Sequence, residues 1–390
     1  MKTQSPRHVS LVQSLHRRRP ASKIADQRRG AAAVFGLILT LGLVVMMAIS
    51  IDFGYIHVAE TELRRTADAA AMAGCWEMYD QQVDDQTTDV VATEAMYAAS
   101  QFALQNSVAN SQPELFDNDV ELGQFGSDQS WDTSDPSSFN AIRVSVRRNA
   151  DANGKLALFL GSITGRDSQA METSATAAML HSISGFNQPS NGKSLNLFPF
   201  ALDLPTWLSA INGESDDSFS YSNGQVIQEA DGLHEVNLYP KGTGAPGNRG
   251  TVDIGSANNS TADLSRQILY GVSAQDFIEL GKPLQLDENG ELDLNGDTGI
   301  SAGVKDELES IIGETRIIPI YTKVTGNGNN AMFTIVRWEG VRILDVKLTG
   351  KKDQKRVIIQ PAKVIARGSI VDSTGSANSR YLSTPVMLVQ

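Results

Sequence analysis

Residues 28–74 read RRGAAAVFGLILTLGLVVMMAISIDFGYIHVAETELRRTADAAAMAG. From Ala31 to Ile51 no charged side chain interrupts 21 positions. At ~1.5 Å per residue this stretch spans roughly 30 Å, the thickness of a bilayer hydrocarbon core. Arg28 and Arg29 flank one end and Asp52 the other. Basic residues on the N-terminal side place residues 1–30 in the cytoplasm and everything after Asp52 outside it. A cleaved signal peptide would have a shorter apolar region, about 7–15 residues, with an A-x-A site close behind. The triplet Ala71-Met72-Ala73 lies too far downstream. A buried globular helix of this length would carry a polar face.

Helical composition continues beyond the apolar stretch. No Pro occurs between Tyr55 and Gly74, and Ala67, Ala70, Ala71 and Gly74 form small-x-x-x-small pairs on adjacent faces. Such faces let helices approach closely, although alanine is also simply the best helix former. A second helix is predicted from Asp89 to about Val108, where Val91, Ala92, Ala95, Met96, Ala99, Phe102 and Ala103 recur at helical spacing. Folded back on the first, it makes a helical hairpin. Residues 110–140, rich in Asp, Ser, Asn and Gln, read as a loop. Ile142, Val144 and Val146 alternate with Arg143, Ser145 and Arg147 as in a half-buried strand, and Thr173–Leu180 is a candidate partner.

The Gly/Asn/Ser-rich stretch Ser182 to Ser194 reads as a domain boundary. Beyond it, strands are predicted at Val236–Tyr239, Thr251–Ile254, Arg316–Val324, Ala331–Val336, Val341–Leu348 and Val357–Ala366, with helices at Ala262–Tyr270 and Gly303–Ile312. Gly-rich turns between them favour a mostly antiparallel sheet.

Charge narrows the partners. The net charge is −12, yet residues 1–30 hold eight basic side chains and one acid, so the remainder sits near −19. A body that acidic repels phosphate and excludes nucleic acid as a ligand. The single cysteine, Cys75, rules out an intramolecular disulfide and a cysteine zinc cluster. It reads either as a small buried residue or as a site for an intermolecular disulfide in an oxidising compartment.

Several motifs imitate chemistry without its context. Gly242-Thr243-Gly244-Ala245-Pro246-Gly247 matches G-x-G-x-x-G, but Pro246 and the following Asn248-Arg249-Gly250 make a loop where a phosphate-binding helix should begin. Asp293, Asn295 and Asp297 resemble the start of a calcium loop, but Thr298 and Val304 stand where Gly and Glu are needed. These residues read instead as turn chemistry between short strands. The five histidines lack metal spacing, and no G-x-S-x-G elbow occurs. Acid pairs such as Asp216-Asp217 lie in polar segments. No cofactor, metal or catalytic residue is expected, and the chain reads as non-enzymatic.

The N-terminal stretch resembles the TadE/TadG-like family of Flp (tight adherence) pilus-assembly proteins. The resemblance rests on Arg28-Arg29-Gly30, the apolar span, Asp52-Phe53-Gly54, then Leu63 and the block Ala67-Asp68-Ala69-Ala70-Ala71-Met72-Ala73-Gly74. Looser likeness continues at Leu197–Leu204 and from Leu308 to Ala331. Processed pilin subunits carry Glu at the fifth position after their cleavage-site Gly. Counting from Gly30 that position is Phe35, so an uncleaved, TadG-like chain is expected. The resemblance implies assembly or anchoring of Flp/Tad-type pili in surface adhesion. It marks Arg28, Arg29, Gly30, Asp52, Gly54, Leu63, Ala67, Asp68, Ala71 and Gly74 as topology and helix-packing candidates. Asp52, where the helix leaves the bilayer, is expected to be hydrated. Asp68 reads as either a solvated helix position or a packing one.

The expected fold is therefore α+β. A basic tail (1–30) precedes a transmembrane helix (31–51), a helical hairpin (52–110), a linker with a small α+β unit (111–181), a further linker (182–194) and a β-rich extracytoplasmic domain (195–390). The expected partners are the lipid bilayer and other pilus-assembly or envelope proteins, met through the N-terminal helix and the β-rich body, with homo-oligomers possible in principle. The expected location is the bacterial inner membrane. The competing function is a tethered adhesin or envelope-structural protein whose C-terminal domain binds matrix or glycan. An exported hydrolase lacks its motifs.

Overall fold

A computed structural model describes residues 22–190, 192–238, 250–255, 260–297, 301–326, 328–351, 354–372 and 379–389, without the side chains of residues 22–29 and Asn329. Most of the basic tail, the Gly242–Gly247 loop, Tyr239 and Thr298 lie outside these residues, as do the side chains of Arg28 and Arg29.

One unbroken helix, α1 (Ser22–Val83), contains both the apolar stretch and the small-residue block. After a turn, α2 (Thr88–Gln105) runs back along it and buries Val91, Ala95, Ala99 and Ala103. This is the expected hairpin. Its inner face packs on a five-stranded antiparallel sheet, ordered Trp131–Asp132, Val120–Phe125, Ala141–Arg148, Met171–Ala178 and Met387–Val389. Alternation in the Ala141–Arg148 strand turns Ile142, Val144 and Val146 into the core shared with α1 and α2. The predicted loop 110–140 instead supplies two strands of this sheet. Their polar side chains fit because one sheet face is open to solvent.

The chain leaves this sheet after Ala178 and returns to the adjacent position at Met387. Everything between is inserted between two neighbouring strands of one sheet. Entry and exit run side by side as a neck, with the Thr384 amide donating to Leu180 O (2.9 Å) and the Leu180 amide to Thr384 Oγ1 (3.0 Å).

The inserted body is built on a closed ring of strands. The long strand Ala331–Lys347 pairs with Leu292–Asp297 on one side and Thr315–Thr325 on the other. Gly250–Val252 and Phe200–Asp203 complete the circle, the last pairing parallel with Thr315–Thr325. Arg356–Pro361 and Val236–Asn237 extend the sheet beyond the ring. Both faces are covered: Ile317 and Tyr321 join one core, while Ile318 and Ile320 join another. That explains the continuous apolar run in this strand, since a strand buried on both faces has no reason to alternate.

Three further expectations change. Ala331–Val336 and Val341–Leu348 are one strand of 17 residues. The expected linker 182–194 contains Ile183–Phe186, fully buried and paired on both edges. Asp293, Asn295 and Asp297 stand on a strand rather than a turn; Thr334 donates to Asp293 (2.8 Å) and Asn295 to Ala331 O (3.2 Å).

Candidate membrane and assembly surfaces

Residues 30–51 of α1 are exposed almost throughout, Phe35 at 69 % and Met46 at 67 %. The helix that carries them has a stretch of mean hydropathy 2.6, long and apolar enough to cross a membrane. Exposed side chains of this kind need a nonaqueous surrounding, and a bilayer supplies it.

One face of this stretch departs from the pattern. Ala48 is fully buried and Val45 half-buried, in line with Asp52 one turn further along. Asp52 is only 5 % exposed, which corrects the expectation of a hydrated carboxylate. Its carboxylate accepts the amides of Phe159 (2.9 Å) and Leu160 (3.1 Å) at the start of a short helix, α3 (Gly161–Thr164). Amides at a helix start have no intrahelical acceptor and carry partial positive charge, so an acid there is well placed. Tyr55 packs its ring against Phe159, centroids 4.5 Å apart. Asp52 thus ties the end of the apolar stretch of α1 to a loop more than a hundred residues away.

The small-residue face is likewise taken up within the chain. Leu63, Ala67, Ala71 and Gly74 are buried in the core shared by the hairpin and its sheet. A Cβ on Gly74 would lie 2.7 Å from Ile142 Cδ1, 2.9 Å from Ala95 O and 3.1 Å from Ala99 Cβ. The face expected to meet partner helices is therefore spent on close packing against α2 and the sheet. Gly74→Leu is expected to cost about 3 kcal/mol or more, since overpacking of this kind typically costs 1–3 kcal/mol and a whole side chain must be placed here. Urea unfolding followed by far-ultraviolet circular dichroism checks this. Gly30 and Gly54 differ, since a Cβ on either would meet nothing within 4 Å. Asp68 is half-buried, and its carboxylate makes no hydrogen bond or ion pair to a described residue.

On its outer side the hairpin leaves an apolar groove of about 420 Å³, lined by Met72, Ala73, Trp76, Ala98 and Phe102. Sequence reasoning passed over it, although Met72 with Trp76 and Ala98 with Phe102 are each four apart and share a face. Cys75, on the buried side, is pushed up to about 12 by its burial, which keeps the thiol protonated and removes the intermolecular-disulfide reading.

A polar cluster lies where the body meets the hairpin. Lys363 Nζ donates to Gln82 O (2.9 Å) in the last turn of α1. Beside it, Glu339 accepts from Ser379 and faces Arg337, within a cavity of about 440 Å³ also lined by Phe139, His181 and Trp207. Burial pushes Glu339 up to about 7 against the opposing pull of Ser379 and Arg337. Burial also holds His181 below its ordinary value and Lys363 down to about 8. A carboxyl whose folded pKa is raised stabilises the fold below its unfolded value, here 4.5, and loses that contribution as pH rises through 7. His181, with a lowered pKa, works in the opposite sense. The difference between the wild-type chain and Glu339→Gln isolates the carboxyl. The variant's urea midpoint is expected to gain on the wild type's from pH 4.5 to 7. Among the described residues, no three His, Cys, Asp or Glu side chains gather as a metal site.

Residues 30–85 match a family described as putative Flp pilus-assembly TadE/G-like, and residues 68–177 one described as putative Tad-like Flp pilus-assembly. Together they cover α1 from its apolar stretch, α2 and the sheet up to its fourth strand in chain order. No curated protein and no solved structure matches the chain.

Proposed function

We propose that this chain, whose residues 30–85 match the TadE/G-like and 68–177 the Tad-like Flp pilus-assembly family, is a single-pass inner-membrane protein whose body stands outside the cytoplasm. There it assembles or anchors a Flp/Tad-type pilus used in surface adhesion. The observation that carries this reading is the continuity of α1. The apolar, exposed stretch passes without a break into the core of the folded unit. A span joined in this way to a packed body transmits force and orientation directly. The basic N-terminal excess supports a cytoplasmic N-terminus. The role is mechanical and associative, and the partners are other pilus-assembly or envelope proteins.

Deletion of the chain in its host tests this by counting surface filaments. Loss of filaments, restored by the full chain but not by residues 52–390 exported without the span, is the expected result. Normal filaments with lost adhesion would favour the tethered adhesin instead.

A further inference from the structure

The loop around α3 reaches the sheet's core only through Leu156 and Leu158 before it, yet it is held firmly. Asp52 binds its Phe159 and Leu160 amides, and α3 packs on α1. Its two largest apolar tips nonetheless face outward: Phe159 is 68 % and Ile163 47 % exposed. Their position gives this meaning. Ala48 and Val45 lie four and seven residues before Asp52, inside the apolar stretch, and are covered on the same face as Asp52. At ~1.5 Å per residue the covered face reaches roughly 5–10 Å below Asp52, into the depth occupied by acyl chains. Phe159 and Ile163 therefore continue the exposed apolar surface of α1 sideways. Basic side chains bracket them, Lys155 before and Arg166 after, both exposed and with Asp167 alongside.

We propose that Phe159 and Ile163 form a second membrane contact, seated in the headgroup–acyl boundary of the outer leaflet beside α1. Aromatic and aliphatic tips flanked by basic residues are the composition that favours this boundary. A lone span leaves the body free to rotate about its axis and tilt. A contact displaced from that axis fixes both, and Asp52 holds it at a set depth. The proposal rests on reading α1 as the membrane span.

The test uses the full chain in vesicles of phosphatidylethanolamine and phosphatidylglycerol, in a Cys75→Ala background. The fluorophore NBD is attached at Ile163→Cys, with Leu41→Cys as a span control and Asp151→Cys as an aqueous one. Phe159→Cys serves as an independent second probe of the loop. The expected result is blue-shifted emission at 163, quenched by lipids brominated near the top of the acyl chain and shielded from aqueous iodide. Leu41 should respond to deep bromines and Asp151 only to iodide. Water-like emission at both 163 and 159, with Leu41 still lipid-quenched, would overturn the proposal and leave the span intact. Water-like emission at Leu41 as well would remove the span reading. A blue shift at 163 and 159 without bromine quenching would show cover by protein, and would also overturn the proposal.

Discussion

Replacement of Gly340 by alanine is expected to destabilise the β-rich body severely. Gly340 sits in the middle of the strand Ala331–Lys347, paired with Ile317. A Cβ there would lie 2.3 Å from Tyr381 O and 2.4 Å from Ala362 O. Neither carbonyl belongs to a side chain that could swing away. Tyr381 O accepts the Val364 amide (3.0 Å), and the Ala362 amide donates to Gly340 O (3.0 Å). Making room would separate the Val364–Ile365 strand from Leu382–Ser383, and with it one side of the neck. Overpacking that side chains can absorb costs 1–3 kcal/mol. Here only backbone could move, so the expected cost is about 4 kcal/mol or more, a large share of the ~5–15 kcal/mol that stabilises a domain. Urea unfolding measures it, with Gly54→Ala as the control. An added Cβ at Gly54 meets nothing, so that variant should be neutral or gain up to about 1 kcal/mol from helix propensity.

The second large effect is expected from removing residues 386–390. Val386 is buried in the hairpin core, and Met387, Leu388 and Val389 pair with Ala178, Ala177 and Thr176. Burial of one valine contributes about 1.5–3 kcal/mol, and the lost ladder exposes the edge of the Met171–Ala178 strand. The truncation should lower stability by about 3 kcal/mol and, more tellingly, open the neck. Subtilisin should then release the body by cleavage near Met179–Ile183, a segment covered in the intact chain. Protease resistance equal to that of the full chain would mean the final strand is incidental.

How much of this was legible depended on the kind of signal. The hairpin was readable because Ala67, Ala71, Gly74, Ala95 and Ala99 recur at helical spacing, and the strand at Ala141–Arg148 because its side chains alternate. Leu204–Ile211 was missed although it carries a start signal, Asp203 capping the Thr206 amide (3.0 Å) with Pro205 in the first turn. Glycine misled twice in one way. Gly340 and Gly185 look like turn residues, yet both mark places where another backbone passes. A Cβ on Gly185 would lie 2.3 Å from Leu284 O. Sequence cannot separate a glycine that bends from one that makes room. Pairing of residues 387–389 with 176–178 was invisible because no local pattern encodes which distant edge a strand will join.

The candidate site divided along the same line. The family pattern singled out Asp52 and the small residues, and structure supplied their company. Asp52 lost its expected water to two amides of a loop whose existence the hairpin sequence does not announce. The small-residue face met its own α2 rather than a partner, because Met171–Ala178 and Ala141–Arg148 press the hairpin from the other side.

The central claim is that α1 spans the inner membrane with the body outside the cytoplasm. The most direct test follows a C-terminally tagged chain in the host through alkaline extraction of membranes, shearing of surface material, and protease treatment before and after opening the outer envelope. This account predicts full-length chain in the extraction-resistant pellet, digested only once the envelope is opened. A shortened chain in the sheared fraction, or a body still protected after the envelope is opened, would contradict it.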